Sequence, residues 1–219
     1  MKILVIGSTG RVGMRLVEYS LDKGHEVTAF ARQIDDYPVR HPRLSLVTGD
    51  VLYPALIEAA MPGHDIVLSV IGLRQFSGPI TLLSTGLRNI IHVMKKTGPR
   101  RLVTVTGAGI LQENRDELIM DSISFPPNLQ NLSMDHLRMY EALRESDLDW
   151  TVVCPSFMFG GKRTGTYQVE ADYFPRGVQN RVSVEDVADF ITREMTENTF
   201  IRKRVGIAWP KGMEVEEED

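Results

Sequence analysis

Apolar and polar positions along the chain follow two rhythms. Residues 3–6 are an uninterrupted aliphatic run, Ile3-Leu4-Val5-Ile6, of the kind that suits a strand buried on both faces. Glycines at 7, 10 and 13 break the run. From 14 to 23 the apolar residues Met14, Leu16, Val17 and Leu21 keep a helical spacing, and Gly24 is placed to stop it. Residues 26–31 and 44–47 read as a second and a third strand, the latter ending at Gly49-Asp50. A helix near 54–60 and a strand over 65–70 follow. A long helix is predicted over 81–96, ended by Gly98-Pro99, and then a strand over 101–106. The remaining periodic segments are a helix over 135–146, a strand over 150–153, a helix over 184–195 and a strand over 204–208. Two stretches, 107–130 and 156–181, show little period.

Strands that alternate with helices predict an α/β fold: a doubly wound, mostly parallel sheet of the Rossmann kind, three layers thick with helices on both faces. A chain of 219 residues fits one large domain, placed at 1–210, followed by an acidic tail at 211–219. In such sheets, loops at the carboxyl ends of strands build the ligand crevice. Substrate loops are therefore expected at 107–130 and 156–181.

Composition narrows the function classes. The net charge of -4 gives no reason to expect a nucleic-acid partner, and Glu214-Val215-Glu216-Glu217-Glu218-Asp219 reads as a solvated end. The single cysteine, Cys154, can form no internal disulfide and cannot hold zinc alone. His25, His41, His64 and His92 are scattered, with no metal-binding spacing. Ser156 lies in no nucleophile elbow. The N-terminal run is too short for a signal peptide, and no apolar run reaches membrane-spanning length. A cytoplasmic protein without membrane contact is expected, as a monomer or weak homodimer.

Chemistry enters at Gly7-Ser8-Thr9-Gly10-Arg11-Val12-Gly13. Gly7 permits the tight turn out of the strand, Gly10 leaves room for a pyrophosphate, and Gly13 lets the helix pack on the sheet. The helix that follows offers free N–H groups and a partial positive charge to an anion. A dinucleotide is the expected ligand. At the end of the second strand, a site for NAD usually places a carboxylate. This chain has Phe30-Ala31-Arg32, and no acid before Asp35. Arg32, with Arg11 in the glycine loop, suits a 2′-phosphate, so NADP (as NADPH) is preferred and NAD is the weaker candidate.

With these motifs the chain resembles the atypical short-chain dehydrogenase/reductases, and among them the biliverdin-IXβ reductase/flavin reductase group. The resemblance also rests on Gly49-Asp50-Val51, Ile71-Gly72-Leu73-Arg74, Gly86-Leu87-Arg88-Asn89-Ile90 and Asp135-His136-Leu137-Arg138-Met139. Thr164-Gly165-Thr166-Tyr167 and Arg181-Val182-Ser183-Val184-Glu185-Asp186-Val187 fit as well. It implies that Thr9, Arg11 and Val12 lie along the pyrophosphate, and that Asp50 and Val51 flank the adenine. It places Ile71, Gly72 and Leu73 beside the ribose and nicotinamide, and Pro155 near the nicotinamide. The chain departs from that group at Gly107, where the group has a serine, and at Phe157, which replaces a second pocket histidine.

Many short-chain dehydrogenases use Tyr-x-x-x-Lys, whose lysine lowers the tyrosine pKa for proton transfer to a carbonyl. Tyr19 and Lys23 have that spacing but sit on the first helix, behind the phosphate loop. Tyr140 and Arg144 sit on the expected helix, but arginine is no proton relay. Hydride delivery to a planar conjugated acceptor, a flavin or tetrapyrrole, therefore fits better than carbonyl reduction. The acceptor is expected between the loop after Thr106 and the segment from 157 to 167, lined by Gly107, Phe157, Phe159 and Tyr167. His136 and Tyr140, four apart and so on one helix face, are the candidate catalytic pair. Leu137 and Leu143 are expected to face the sheet. His136 would orient an anionic acceptor or donate a proton near neutral pH, the orienting role being preferred. The alternative is a non-catalytic dinucleotide sensor of the nitrogen-metabolite-repression type.

Overall fold

The structure, a computed structural model, describes residues 1–73 and 78–213, and of Thr97 the backbone alone. Arg74 and the acidic run from Glu214 lie outside the described residues. The elements in chain order are β1 (Lys2–Ile6), α1 (Arg11–Asp22), β2 (Glu26–Ala31), β3 (Leu44–Thr48), α2 (Pro54–Ala60) and β4 (Ile66–Ser69). Then come α3 (Leu82–Thr97), β5 (Arg101–Val105), α4 (Gln130–Arg144), β6 (Asp149–Pro155), β7 (Phe157–Phe159) and β8 (Gln168–Ala171). β9 (Arg181–Ser183), α5 (Val184–Glu197) and β10 (Lys203–Ala208) complete the described chain.

Eight strands form one sheet in the order β3-β2-β1-β4-β5-β6-β10-β8. Every neighbouring pair is parallel except β10 with β8. The chain winds outward from β1 through β2 to β3, then crosses back to β4 on the other side of β1. The order reverses at β1/β4, where open α/β sheets form their ligand crevice. The aliphatic runs explain the arrangement. Ile3, Leu4, Val5 and Ile6 have no exposed surface, because alternate residues enter two separate cores. Ile3 and Val5 join Leu16, Val17, Val187 and Ile191 beneath α1 and α5. Leu4 and Ile6 join Ile57, Leu87, Met139 and Leu143 beneath α2, α3 and α4.

The structure differs from the periodicity in two places. Helix α4 starts at Gln130, five residues early, because a 3-10 turn over Pro127–Leu129 leads straight into it. Proline lacks only an N–H that the first helical turn leaves unused, so Pro126-Pro127 leads into the helix from within the stretch that shows little period. The buried residues of α4 are Ser133, Asp135, His136, Met139 and Leu143, while Leu137 is only partly covered. Second, 156–181 is not featureless. It contains β7 and β8, and β7 pairs with β9 in a two-stranded parallel ribbon. Strands of three or four residues are too short to display a period of two. No helix among the described residues is long and apolar enough to cross a membrane.

Candidate dinucleotide and acceptor site

The glycine loop is built by contact. Gly7 has φ +86°, and a Cβ there would lie 2.7 Å from the Val70 carbonyl oxygen. A Cβ on Gly13 would lie 2.2 Å from the Gly7 carbonyl oxygen, so α1 can approach the sheet only without a side chain there. Gly10 differs. The nearest atom to its Cβ position is the Gly7 carbonyl oxygen at 3.3 Å, and the residue is exposed. Its bareness serves the space above the loop more than the packing below. Gly10 is also the N-cap of α1 and gives it no side-chain cap. The first-turn N–H groups of Arg11, Val12 and Gly13 therefore have no helical acceptor and face a potential anion.

The neighbouring strand ends complete this edge. The Phe30 carbonyl accepts from the Gly7 N–H at 3.0 Å, which brings the end of β2 against the loop. Arg32 follows directly. Arg11 and Arg32 are both exposed, and neither guanidinium has an ion pair or hydrogen bond among the described residues. After β3, Asp50 Oδ1 accepts from the Leu52 N–H at 3.0 Å and closes a turn, and the Val51 carbonyl accepts from Asn89 Nδ2 at 2.8 Å. A Cβ on Gly86 would lie 2.7 Å from Val51 Cγ2 and 3.2 Å from Ile71 Cδ1. Gly86 thus lets α3 press Val51 and Ile71 into one apolar wall. Gly72 is exposed with open space at its Cβ position, Leu73 is partly buried, and Pro155 is buried at the end of β6.

A family model described as NAD(P)H-binding matches residues 7–198. The chain belongs to this family. The match runs from the first glycine of the loop to the end of α5, so the NAD(P)H-binding unit spans most of the sheet. The chain is 30% identical to YwnB of Bacillus subtilis (strain 168) over 78% of its own length and 80% of that protein. It superposes with TM-score 0.83 and 25% identity on an inferred NADH-flavin reductase from Streptococcus pneumoniae TIGR4, covering 95% of this chain and 99% of the other. An inferred epimerase from Bacteroides thetaiotaomicron gives the same TM-score of 0.83 at 28% identity, over 97% of this chain and 99% of that one. The NAD(P)H-binding fold is of the atypical short-chain dehydrogenase/reductase type that the motifs resembled. Two neighbours of equal similarity with different names leave the substrate to the site itself.

On the acceptor side of this NAD(P)H-binding domain, the residues expected together are divided. His136 lies against Gly107, whose Cβ position is 3.5 Å from the ring Nδ1. The imidazole is 8% exposed and has no hydrogen bond among the described residues. Burial lowers its pKa to about 4, against a smaller opposing pull from Asp135. At neutral pH it is uncharged. It neither attracts an anion by charge nor carries the proton that a donor at pH 6–7 would need. Tyr140 sits one turn further along α4, edge-on to Trp150 at 5.8 Å, with the Arg204 guanidinium 4.5 Å over its ring. Trp150 is at the amino end of β6, opposite to Pro155. Tyr140 shares a helix face with His136, and its ring packs between Trp150 and Arg204.

Phe159 and Tyr167 are packing residues. Phe159 meets Trp209 edge-on at 4.9 Å and lies under the Arg181 guanidinium at 4.4 Å. The Tyr167 hydroxyl donates to Asp189 Oδ2 at 2.8 Å, and its ring meets Phe190 edge-on; burial and that carboxylate raise its pKa. Phe157 alone of the three aromatics presents its ring to solvent, with 69% of its surface exposed two residues beyond Pro155. Tyr19 is covered by the Arg163 guanidinium 4.5 Å above its ring, behind the glycine loop.

Three buried acids hold the walls, and their roles escaped the sequence reading. Asp135 accepts from the Leu83 and Ser84 N–H groups at 3.0 and 3.2 Å and from Ser84 Oγ at 2.5 Å. It caps α3 from another helix, where the N-cap Thr81 makes no side-chain bond. Asp186 accepts from the Thr164 N–H (2.8 Å), the Gly165 N–H (2.9 Å), Thr164 Oγ1 (2.6 Å) and Trp209 Nε1 (2.7 Å). Asp189 receives Arg163, Tyr167 and Arg193. One signal was available: Ser183-Val184-Glu185-Asp186 reads as a helix start, and Ser183 Oγ does accept from the Asp186 N–H at 3.0 Å.

Other chemistry is sparse. No group of three His, Cys, Asp or Glu residues among those described could hold a metal. Cys154 is buried beside Thr106 Oγ1 at 3.2 Å, and burial pushes its thiol up to about 12, so it is no nucleophile at neutral pH. Two grooves, of about 230 and 910 Å³, open around Lys2, His64 and Arg101 at the amino ends of the strands. They lie on the far side of the sheet from the glycine loop.

Proposed function

We propose that the protein is an NADPH-dependent reductase that passes hydride to a flat conjugated acceptor, a flavin or tetrapyrrole. The observation that carries this reading is Phe157, a largely exposed aromatic ring just beyond the strand end at Pro155. An exposed ring beside a dinucleotide crevice suits stacking against a planar ligand. The acceptor must also need little help from a positioned acid, since His136 is neutral and Tyr140 faces Trp150. A conjugated ring system disperses the incoming charge itself. The inferred NADH-flavin reductase among the structural neighbours supports the same class.

When bound, the reduced nicotinamide supplies the hydride. The chain's own groups hold and orient: the α1 N–H groups take the pyrophosphate, and Arg11 and Arg32 the 2′-phosphate. Val51 walls the adenine and Ile71, packed with it against Gly86, the ribose, and the uncharged His136 ring above Gly107 orients the acceptor. The test is loss of reduced-nicotinamide absorbance with and without FMN. Phe157→Ala should raise the KM for FMN by about 2- to 10-fold, from a lost stacking contact, with NADPH affinity unchanged. An unchanged KM removes Phe157 from the site. Binding of NADPH with no turnover of flavin or tetrapyrrole would instead mark a dinucleotide-binding regulator, a reading that the uncharged His136 favours.

The cofactor preference has its own test. A charge-assisted hydrogen bond contributes about 1.5–3 kcal/mol, so Arg32→Ala should weaken NADPH by about tenfold or more while leaving NADH unchanged. Fluorescence titration of both cofactors measures this. Equal loss for both would make Arg32 a structural residue.

A further inference from the structure

The segment between Arg32 and β3 is not a free loop. Ile34 and Tyr37 are 4% and 2% exposed and enter the core beside Leu16 and Val17 of α1. The Tyr37 N–H closes a turn on the Ile34 carbonyl at 3.1 Å. The Tyr37 hydroxyl, buried, donates to the Ser8 carbonyl at 3.1 Å, twenty-nine residues back in the glycine loop. This bond fixes more than one oxygen. In a planar trans peptide the C=O and the next N–H point in opposite directions. With the Ser8 carbonyl drawn inward to Tyr37, the Thr9 N–H is turned outward. Thr9 is exposed, and among the described residues no backbone acceptor takes its N–H.

We infer that Tyr37 is a positioning residue for the cofactor: by holding the Ser8–Thr9 peptide, it aims the Thr9 N–H at the pyrophosphate. Three features meet in this role. The donor is on the same segment that begins with Arg32, so the 2′-phosphate and pyrophosphate ends of the site share one anchor. The hydroxyl is buried, so no water substitutes for it readily. The peptide it holds lies between Gly7, fixed by its packing on Val70, and Gly10, whose N–H closes a turn on the Gly7 carbonyl at 3.0 Å, so the hydroxyl supplies the hold on the peptide inside that turn. The inference rests on dinucleotide binding at the glycine loop and is independent of the acceptor.

Tyr37→Phe keeps the ring and removes only the hydroxyl. Loss of one buried hydrogen bond should raise the Kd of NADPH and of NADH alike, by about 2- to 10-fold. This pattern separates it from Arg32→Ala, which acts on NADPH alone. Unchanged affinity for both cofactors would overturn the inference, and so would a loss confined to NADPH, which would leave Tyr37 serving the Arg32 segment only. A readout on the intact wild-type protein does not depend on the variant's folding. The Thr9 amide resonance of ¹⁵N-labelled protein should shift downfield on addition of ADP, which carries the pyrophosphate without nicotinamide. An unmoved Thr9 amide in protein saturated with ADP would overturn it too. Wild-type protein that binds neither ADP nor NADPH would refute cofactor binding itself, a separate result.

Discussion

Asp186→Ala should cost about 3–5 kcal/mol of folding stability, the largest single loss expected in this chain. Asp186 has no exposed surface and accepts four hydrogen bonds, from two backbone N–H groups, a hydroxyl and an indole. Alanine leaves all four donors facing a cavity. A buried donor left unpaired costs about 1–3 kcal/mol, and water entering the vacated space recovers part of the total. For a domain of this size each kcal/mol lowers Tm by about 2–4 °C, so a fall of about 6–20 °C is expected in a thermal melt. Asp186→Asn should lose roughly half as much, because one oxygen still accepts from Thr164 and Gly165 while the amide opposes Trp209. The loss should have a local signature, since Thr164 and Gly165 would come away from α5. Proteolysis between Lys162 and Tyr167 should then accelerate before global unfolding. A melt within about 2 °C of wild type would show that Trp209 and the 164–165 turn find other partners.

That residue also marks the limit of what the sequence disclosed. The sheet was legible because a parallel strand covered on both faces needs an unbroken aliphatic run, and residues 3–6 and 66–68 supply it. The glycine loop was legible because backbone geometry dictates residue type: only glycine fits 2.2 Å from a carbonyl oxygen at position 13. The strands at 157–159, 168–171 and 181–183 had no such compulsion, being too short for a pattern. Asp186 looks in sequence like an ordinary first-turn acid of a helix. Its partners lie twenty-two residues before it and twenty-three after it, and no local rule connects them.

The acceptor side was less legible for a related reason. A spacing of four residues correctly puts His136 and Tyr140 on one face of α4, but it does not say at what height along the strands each will sit. His136 meets Gly107 just beyond β5, whereas the Tyr140 ring, one helical turn or about 5.4 Å further along α4, packs edge-on to the Trp150 ring. Burial was equally hidden. With the helix taken to begin at 135, His136 was a first-turn residue open to solvent. With the helix beginning at 130, it falls in the buried series with Ser133 and Met139.

That burial makes acid an expected stress on the fold. The ordinary histidine pKa of 6.5 applies in the unfolded chain, whereas burial lowers it to about 4 in the folded one. Between these values the unfolded chain binds a proton that the folded chain refuses. Stability therefore rises with pH across this window, is fully present above 6.5, and is lost as the pH falls towards 4. The gap corresponds to about 3 kcal/mol. Other groups titrate over the same range, and Asp135 and Arg138 are the charged neighbours on the same helix, so the informative quantity is a difference. His136→Gln removes the titrating ring. The stability advantage of wild type over this variant should shrink by about 3 kcal/mol between pH 7 and pH 4, measured by urea denaturation. In the folded protein the His136 ring protons should titrate well below pH 6 by NMR. A kcat profile assigned to His136 should then show no inflection at pH 6–7. Parallel stability curves for the two proteins, or a ring titrating near 6.5, would mean that water reaches the imidazole above Gly107 and that it carries charge when an acceptor arrives.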